Sequence, residues 1–441
     1  MSQSRETSDL NAAVRQRRAM IGAFAGTAVE WYDFFIFGTA AALVFGKVFY
    51  PDVAPGAALL ASFATLWVGF LARPLGGVVF GHFGDKWGRK NTLVITLILM
   101  GVATTGIGLL PTHATIGVAA PILLVVLRAL QGMAVGGEWG GAVLIATENA
   151  RPGKRGLAGA WVQQGSPAGA IMASLVFMLV SRLPEEQFLT WGWRLPFLLS
   201  AVLVVVGLVV RLKLEESPDF VETQRTRAVV KTPVVTVFRE VPATVVIGIA
   251  ASVIGISLAY FTNTFLLAWT TGRLGIERQT MLLVLLAGAV LQFILQPLAP
   301  TLARRWGANR VMVGGLVCVF LLVPPFFLAI QAANVVAIAI TTVLFFGPSA
   351  MYYALLASQM SAAFPAHVRY TGVSMSYQLC SSLIGGSTPF IAQAILNGSD
   401  GNPWGVAVFL GSQVLITILG VVLLSRRSKA DVSPPVPVAV A

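Results

Sequence analysis

The stretch GHFGDKWGRK, residues 81–90, decides how the rest of the chain is interpreted. It holds one acidic side chain and three lysine or arginine side chains between two apolar runs, residues 57–80 and 91–110. Each run is long enough to cross a bilayer as a helix. A short basic segment between two spans must lie in water, and Lys and Arg concentrate on the cytoplasmic side. Residues 81–90 therefore predict a cytoplasmic hinge that joins two membrane spans.

The composition of the whole chain is that of a membrane protein. Of its 441 residues, 56% are hydrophobic and only 11% are charged, and the mean hydropathy is +0.81. Water-soluble domains of this size do not have such a composition. The net charge of +12 could indicate a nucleic-acid partner, but the basic residues fall in short loops between apolar runs, which is an orientation signal. We expect the lipid bilayer as a partner and no nucleic acid.

The residues that usually build cofactor or catalytic sites are scarce. Cys318 and Cys380 lie inside apolar runs and are interpreted as small apolar side chains, and the three histidines are scattered along the chain. The glycine-rich run 136–141 is not followed by Lys-Ser or Lys-Thr and no strand precedes it, so it does not indicate a nucleotide site. We expect no cofactor, no metal site and no enzymatic activity.

The apolar windows define the predicted fold class, an all-α integral membrane protein with twelve transmembrane helices in two six-helix pseudo-symmetric bundles. The windows are residues 20–46, 57–80, 91–110, 118–147, 156–180, 195–212, 243–269, 280–302, 311–330, 335–360, 371–396 and 404–424. The predicted domains are a cytoplasmic N-terminal tail 1–19, a bundle 20–212, a cytoplasmic linker 213–242, a bundle 243–425 and a disordered cytoplasmic tail 426–441.

An internal repeat and the distribution of basic residues support this layout. Lys86-Trp87-Gly88 recurs as Arg305-Trp306-Gly307 between the second and third spans of each half. With twelve spans, 23 of the 30 lysines and arginines fall on the side of the termini and 5 on the opposite side. This asymmetry predicts that both termini are cytoplasmic.

Five ionisable residues lie inside the predicted spans, all in the first half: Glu30, Asp33, Arg73, Arg128 and Glu138. A charged residue that faces lipid at the centre of a span costs about 2.5–3.5 kcal/mol on insertion scales, so these side chains should face a polar interior. They are interpreted as a pathway for protons and substrate. The alternative is a set of static ion pairs, which are a poor source of stability when buried.

Helical spacing groups these charges. Glu30 and Asp33 are three residues apart and share a helix face. At about 1.5 Å of rise per residue, Glu30, Arg73 and Glu138 lie at one level of the bilayer, and Asp33 lies closer to Arg128. The candidate proton-coupling residues are Asp33, Glu30, Arg128 and Glu138.

Two buried arginines favour an anionic substrate over a neutral sugar, because a guanidinium offers a forked donor to a carboxylate. Polar residues of the second half could line a cavity, although ordinary hydrogen bonds between helices are an equally good interpretation. The candidate substrate-binding residues are Arg73, Arg128, Gln131, Tyr260, Asn263, Tyr377 and Gln378. Gln292, Tyr352 and Tyr353 are further residues that could line a cavity.

Three motifs resemble the major facilitator superfamily. Residues 81–90 resemble its loop signature between spans two and three. Leu124, Arg128, Gln131 and Gly132 resemble its fourth-span motif, and Glu148, Pro152, Arg155 and Gly156 resemble the motif that follows that span. The resemblance covers the whole chain. It implies that Gly81, Asp85, Arg89, Glu148 and Arg155 form a cytoplasmic gate between the two halves.

A narrower resemblance is to the metabolite:proton symporter family, carried by residues 30–34, 72–74, 136–141 and 368–372. Members carry organic anions such as shikimate, oxoglutarate and citrate, or zwitterions such as proline and betaine. Residues 26–43 are most similar to shikimate-type members, and the lack of a C-terminal coiled coil argues against an osmosensing betaine carrier. One departure is Gln359, where relatives often have glutamate.

The resemblance implies a proton-coupled symporter of a small organic acid that works by alternating access. We expect the bacterial inner membrane as its location, a shikimate-like or other carboxylate substrate together with protons as its partners, and function as a monomer. The alternatives are a proton-coupled carrier of a zwitterion, an uncoupled facilitator, a membrane sensor and an integral-membrane enzyme. The short linker and tail offer a sensor no partner-binding domain.

Overall fold

The computed structural model describes residues 22, 24–87, 89–136, 161–212, 233–365 and 368–430. Within these ranges the regular secondary structure is helical, and short turns and irregular segments join the helices. Ten helices are each long and apolar enough to cross a membrane. The apolar segment Val94–Leu109 and the helix Gly165–Val180 complete the set of twelve in two six-helix bundles, so the predicted fold class is confirmed.

The first bundle contains six spans in chain order. They are α1 (Phe24–Phe49), α2 (Pro55–Phe80), α3 (Arg89–Leu109), α4 (Ala119–Gly136), α5 (Gly165–Val180) and α6 (Gly192–Val209). The second bundle follows the same order. Its spans are α7 (Pro242–Gly272), α8 (Arg278–Trp306), α9 (Ala308–Gln331), α10 (Val335–Ala363), α11 (Thr371–Gly398) and α12 (Trp404–Arg427).

The predicted hinge at residues 81–90 is largely helical, which corrects the expectation of a loop. The helix that contains α2 continues to Trp87, and α3 begins at Arg89. The second half repeats this arrangement. There α8 ends at Trp306, Gly307 has a positive φ of 87°, and α9 begins at Ala308. Charged residues at the end of a span can stay helical because the helix itself satisfies their backbone groups, while their side chains reach water.

Two segments outside the spans differ from the predicted tails and linker. The helix of α12 continues to Ala430, so the first five residues of the predicted disordered tail are helical. Arg427 in this extension donates a hydrogen bond of 2.9 Å to the Thr244 hydroxyl of α7. Within the predicted linker, Pro233–Glu240 forms a short helix before α7.

Helices α2 and α4 cross with their backbones in contact. A Cβ atom added to Gly132 would overlap the carbonyl oxygen of Gly69, and one added to Gly136 would overlap the carbonyl of Arg73. Gly69 in turn leaves room for the guanidinium of Arg128, which a Cβ atom at that position would strike. Small residues permit such close helix contacts in membranes. This contact brings the two buried arginines of the first bundle close together.

Replacement of Gly132 by alanine should therefore disrupt the first bundle. The added methyl group meets backbone atoms, which cannot move aside as a side chain can, and overpacking typically costs about 1–3 kcal/mol or more. We expect a clear loss of thermal stability of the purified protein. Gly314→Ala in α9 is the matched control, because nothing lies within 4 Å of its added Cβ. Equal stability of the two variants would contradict the close contact of α2 and α4.

The two bundles meet through α2 and α11 and through α5 and α8. The indole nitrogen of Trp67 donates to the carbonyl of Ser382 at 2.7 Å, and the Ser382 hydroxyl donates to the carbonyl of Phe70 at 2.6 Å. Gln164 donates to the carbonyl of Phe293 at 2.9 Å. Ser382 lies in a wide π-helical turn, Ser381–Gly385, and such turns often mark functional positions.

Candidate proton and substrate site

The carboxyl of Asp33 is fully buried and is held by hydroxyl groups. Thr104 of α3 donates to one carboxyl oxygen at 2.9 Å, and Ser200 of α6 donates to the other at 2.5 Å. The exposure of Asp33 is 0%. Among the described residues, no lysine or arginine nitrogen lies within 4.0 Å of this carboxyl. Asp33 can therefore gain or lose a proton without the rupture of a direct ion pair.

A chain of hydrogen bonds connects Asp33 to Arg128. Arg128 donates to the amide oxygen of Gln131 at 2.5 Å, and the amide nitrogen of Gln131 donates to the Thr104 hydroxyl at 2.8 Å. Thr104 then completes the path to Asp33. The predicted proximity of Asp33 and Arg128 is thus present, but two polar side chains lie between them. The other end of the Arg128 fork, Nη2, is buried without a hydrogen-bond partner.

The ring of Phe34 lies between the two buried arginines. The guanidinium carbon of Arg73 and that of Arg128 are each 4.2 Å from the centre of this ring. Phe37 packs against Arg128 at 4.1 Å, and Phe70 packs against Arg73 at 4.6 Å. Cation–π contacts of desolvated groups are worth about 2 kcal/mol. The aromatic rings therefore offset part of the cost of burying two positive charges side by side.

The side chain of Arg73 reaches the boundary between the two bundles, where its polar contacts are long. Its Nη2 atom is 3.9 Å from Glu30, and its Nη1 atom donates to the Ser381 hydroxyl of α11 at 3.3 Å. Its Nε atom is buried without a hydrogen-bond partner. A carboxylate usually contacts a guanidinium at about 2.7–2.9 Å, so the pair of Glu30 and Arg73 is well short of its full strength. A second carboxylate can compete for Arg73 at modest cost.

Tyrosines of the second bundle surround the Glu30–Arg73 pair. The hydroxyls of Tyr353 in α10 and Tyr377 in α11 are 2.9 Å apart. The ring of Tyr260 in α7 packs edge-to-face against the ring of Phe70, with 4.9 Å between the ring centres. The buried hydroxyl of Tyr260 has no hydrogen-bond partner. All three tyrosines lie within electrostatic reach of Glu30 and Arg73. The polar centre of the molecule is thus shared by both bundles.

A small cavity lies next to this centre. Its volume is about 30 Å³. It is lined by both bundles, with Phe35 and Ser166 on one side and Asn263, Gln292 and Tyr353 on the other. A water molecule needs about 10–15 Å³ of such volume, so the cavity can hold water but not an organic acid.

The structure brings most of the predicted site residues together, with different surroundings for each. The amide oxygen and the amide nitrogen of Gln131 both form hydrogen bonds with protein side chains. Asn263, in contrast, lines the cavity. Gln378 has only a long contact of 3.5 Å from its amide nitrogen to the carbonyl of Gly136, and its amide oxygen has no hydrogen-bond partner. Tyr352 also lines the cavity, and its hydroxyl donates to the carbonyl of Ala251.

Some predicted site residues lie outside the described part of the chain. These are Glu138, Glu148 and Arg155. Gly81, Asp85 and Arg89 lie in helices, but only their backbone is described. The proposed cytoplasmic gate therefore remains a prediction.

Several residues of the centre were not selected from the sequence as site residues: Thr104, Ser200, Phe34, Ser381 and Gln163. A hydroxyl group in an apolar span does not by itself indicate a functional site, because many such hydroxyls donate to a carbonyl of their own helix. Ser62 and Thr270 are examples. The adjacent glutamines Gln163 and Gln164 were the one visible signal, because two amides in succession are costly in a span.

A second polar site holds the bundles together at the face that carries the α5–α6 and α7–α8 connections, here called the outer face. Arg278 at the start of α8 contacts Glu185 at 2.5 Å and donates to the carbonyls of Ser181 and Leu183. Its guanidinium also lies 4.2 Å from the centre of the Phe188 ring. These four residues of the first bundle are called the Arg278 socket. A cleft of about 440 Å³ borders it.

Lys47 of α1 supports the socket through an ion pair of 2.8 Å with Glu185. This hydrogen bond from Lys47, together with the Arg278 contact, lowers the pKa of Glu185 below its ordinary value of 4.5. The ion pairs are therefore complete at neutral pH and are lost only as the pH falls through the lowered pKa. A change from pH 7 to pH 5 should leave the socket closed, because Glu185 stays ionised over this range.

Removal of Arg278 from the socket should favour separation of the bundles at the outer face. An exposed ion pair contributes about 0.2–1 kcal/mol and hydrogen bonds to a charged group about 1.5–3 kcal/mol, so Arg278→Gln should raise the open population about tenfold or more. Distances between spin labels at Val53 and Val336, both exposed, would measure this change in a background with Cys318 and Cys380 replaced. Arg273→Gln is the control, because Arg273 bonds to Asp400 within the second bundle. No difference between the two variants would contradict the role of the socket.

The architecture and the site together define a class of protein. Two six-helix bundles that share a buried, charged centre form a membrane transporter, because the centre can be exposed to either side when the bundles rock. The chain belongs to the Major Facilitator Superfamily, whose family model matches residues 23–389. It is accordingly a multi-pass membrane transporter and not an enzyme.

Relatives of this chain are named as transporters. The shikimate transporter of Escherichia coli (strain K12) is 40% identical over 420 residues, which cover 94% of this chain and 96% of that protein. The inner membrane metabolite transport protein YhjE of the same organism is 38% identical and covers 92% of this chain and 94% of its own length. The proline/betaine transporter of Salmonella typhimurium (strain LT2) is 35% identical, and the match covers 87% of this chain and 78% of that protein. These relatives confirm the resemblance to metabolite transporters of the shikimate type.

Solved structures confirm the fold independently. The crystal structure of a D-xylose-proton symporter aligns with a TM-score of 0.74 at 16% identity and covers 93% of this chain and 97% of that one. A partially occluded inward-open form of the xylose transporter XylE from E. coli aligns with a TM-score of 0.73 at 14% identity. The alignment covers 94% of this chain and 98% of that one. At such low identity the likeness concerns the fold alone.

Proposed function

We propose that this transporter carries a small organic acid, shikimate-like or another carboxylate, together with protons by alternating access. The proton-coupling set is Asp33, Glu30, Arg128 and Glu138. The substrate-binding set is Arg73, Arg128, Gln131, Tyr260, Asn263, Tyr377 and Gln378, and in it Gln131 acts indirectly through Arg128. The relatives named as shikimate and metabolite transporters support this substrate class.

The observation that carries the proposal is the balance of buried charges. In the described part of the site, the buried ionisable groups are two acids, Glu30 and Asp33, and two arginines, Arg73 and Arg128. Counted over these four groups, without Glu138, which lies outside the described residues, a proton on Asp33 leaves one positive charge uncompensated in a medium where such a charge is costly. A substrate carboxylate restores neutrality. Proton and anion therefore stabilise each other in the site, which is the requirement for symport.

Arg73 is the proposed docking point for the substrate carboxylate. Its contact with Glu30 is long at 3.9 Å, and its Nε atom has no hydrogen-bond partner, so part of its fork is available. It also touches both bundles through Ser381. A substrate bound there contacts both halves and can favour the closed form of the transporter.

The remaining assignments concern orientation and gating. We assign both termini to the cytoplasm on the basis of the basic loops. We assign the chain to the bacterial inner membrane, an assignment supported by the relative named as an inner membrane metabolite transport protein. Gly81, Asp85, Arg89, Glu148 and Arg155 are the proposed cytoplasmic gate, and the Arg278 socket closes the opposite face. We propose the predicted division into tails, linker and two bundles, with the helix of α12 extended to Ala430 and a short helix at Pro233–Glu240 in the linker, and a monomer as the working unit.

The test is transport by the purified protein in liposomes. Labelled shikimate, citrate, proline and betaine should be offered with and without an inward proton gradient. We expect the gradient to drive accumulation of an acid and not of the zwitterions. Gradient-driven uptake of proline or betaine alone would favour the second candidate, a zwitterion carrier, which the 35% identical proline/betaine transporter supports. Uptake of an acid without any effect of the gradient would indicate a facilitator.

A further inference from the structure

A cleft on the outer face lies along the same spans as the small central cavity. Its volume is about 440 Å³ and it is here called the outer cleft, with a lining that includes Ala42, Lys47, Ser181, Glu185, Thr271 and Arg278. These residues lie in α1, α7 and α8 and directly after α5, and the same four spans line the cavity. In α1, Ala42 follows Phe35 of the cavity by seven residues, so the cleft lies about 10 Å further out at about 1.5 Å of rise per residue. An acid that arrives from the outside meets the outer cleft first.

Of these two hollows, the outer cleft alone has room for an organic acid. Ligand pockets typically measure about 300–1,000 Å³, whereas the cavity of about 30 Å³ can hold only water. Between the two hollows, α1 and α7 approach each other closely. A Cβ atom added to Gly38 would lie 2.4 Å from the hydroxyl oxygen of Thr264. This contact separates the outer cleft from the central cavity.

The charges of the outer cleft balance, and a protein carboxylate bridges its two bases. Two acids, Glu185 and Glu277, and two bases, Lys47 and Arg278, line the cleft. The carboxylate of Glu185 lies 2.8 Å from Lys47 Nζ and 2.5 Å from Arg278 Nη1. The Glu185 side chain is 54% exposed, so its carboxylate can turn into water at small cost. A free carboxylate can therefore enter by exchange with Glu185, and the two bases keep a counterion.

The hydroxyl of Ser181 is a further group of the cleft wall. It is buried and has no hydrogen-bond partner among the described residues, although the carbonyl of Ser181 accepts from Arg278. Another hydroxyl of the cleft, that of Thr271, donates to the carbonyl of Leu267 in its own helix at 2.7 Å. A buried polar group without a hydrogen bond is costly, so the Ser181 hydroxyl has a bond to offer to a ligand oxygen.

We propose that the outer cleft is a weak first binding site for a carboxylate anion, which takes the place of Glu185 between Lys47 and Arg278 and thereby loosens the Arg278 socket. This inference rests on the proposed function, because the anion is taken to be the transported acid. Glu185 belongs to the first bundle and Arg278 to the second, so their ion pair ties the bundles together. An ion pair between Arg278 and a free anion does not. The contacts that remain in the socket are with neutral carbonyl groups and an aromatic ring.

Other ligand classes fit this exchange poorly. A cation would lie beside Lys47 and Arg278, and a zwitterion would bring its ammonium group towards them. A neutral molecule cannot replace the charge of Glu185, so the two bases would lose a charge-assisted hydrogen bond each. Exchange of one carboxylate for another gains little free energy, so we expect the site to respond to about 1–10 mM of anion.

The experiment follows the outer face of the purified full-length protein through spin labels at Val53 and Val336, in the background without free cysteines. Arg73→Lys is added to weaken the central site, and the probes are shikimate and its uncharged methyl ester. We expect shikimate at about 1–10 mM to raise the open population at least about threefold, and the ester to leave it unchanged. Ser181→Ala removes the hydroxyl but keeps the carbonyl that accepts from Arg278, so the half-effective concentration of shikimate should rise about three- to tenfold.

The matched control is Ser399→Ala at the outer end of α11, where the hydroxyl donates to the carbonyl of Ile395. Its half-effective concentration should equal that of the parent protein. An unchanged value in Ser181→Ala, or an equal response to the methyl ester, would overturn the inference. Constant label distances at every shikimate concentration, while the wild-type protein transports an acid, would overturn this inference and leave the proposed function intact. Failure of the wild-type protein to transport any acid in the liposome test would overturn both.

Discussion

Replacement of Asp33 by asparagine should abolish proton-driven accumulation. In a symport of one proton with one anion, a gradient of two pH units supports about 100-fold accumulation, and in Asp33→Asn liposomes the ratio should fall to about 1. The reason is that asparagine cannot exchange a proton, although it can keep hydrogen bonds with Thr104 and Ser200. Accumulation of labelled substrate under an imposed gradient measures the change.

The same variant should retain exchange of labelled for unlabelled substrate, because exchange needs no net movement of protons. Asparagine is neutral like a protonated Asp33, so the site keeps the charge that favours an anion. Thr104→Val is a useful companion, since it breaks the path from Asp33 to Gln131 without removing the carboxyl. Intact gradient-driven accumulation in Asp33→Asn would remove Asp33 from proton coupling.

Replacement of Arg73 by lysine should weaken substrate binding about 10- to 100-fold. Loss of one member of a buried, hydrogen-bonded charge pair costs about 2–5 kcal/mol, and lysine retains the charge but not the fork, so we expect the lower part of that range. The stacking of the guanidinium on Phe34 and Phe70 is lost as well. Equilibrium binding of shikimate to the purified variant measures the effect.

The control for Arg73→Lys is Arg194→Lys. Arg194 donates to the carbonyls of Gly108 at 2.9 Å and Leu110 at 2.6 Å, so it ties α3 to α6 without contact with the charged centre. This control can lower thermal stability but should leave the affinity of the folded protein unchanged. Unaltered affinity in Arg73→Lys would place the substrate carboxylate elsewhere.

The sequence predicted the fold because the bilayer imposes a length and an apolar composition on every span. It also predicted which charged residues meet, since depth along a helix follows from the rise per residue. The pair of Glu30 and Arg73 and the proximity of Asp33 to Arg128 are examples. The expectation of a loop at residues 81–90 was wrong. A cluster of charged residues indicates contact with water, but it does not indicate the end of a helix.

Other parts of the site could not be predicted for physical reasons. Ser381 reaches Arg73 from a π-helical turn, where the regular 3.6-residue spacing does not hold. Phe34 separates the two arginines through a contact between helices that no spacing reveals. The hydroxyls of Thr104 and Ser200 look like those of any apolar span until the fold places them against Asp33.

The central claim is that the proton and the organic acid move together in one direction. It is tested most directly by liposomes that contain the protein and an internal pH-sensitive dye, with no initial pH gradient. Addition of external shikimate should acidify the interior as the acid moves down its own gradient, and Asp33→Asn liposomes should show no such change. Uptake of shikimate by the wild-type protein with no change of internal pH would contradict proton coupling.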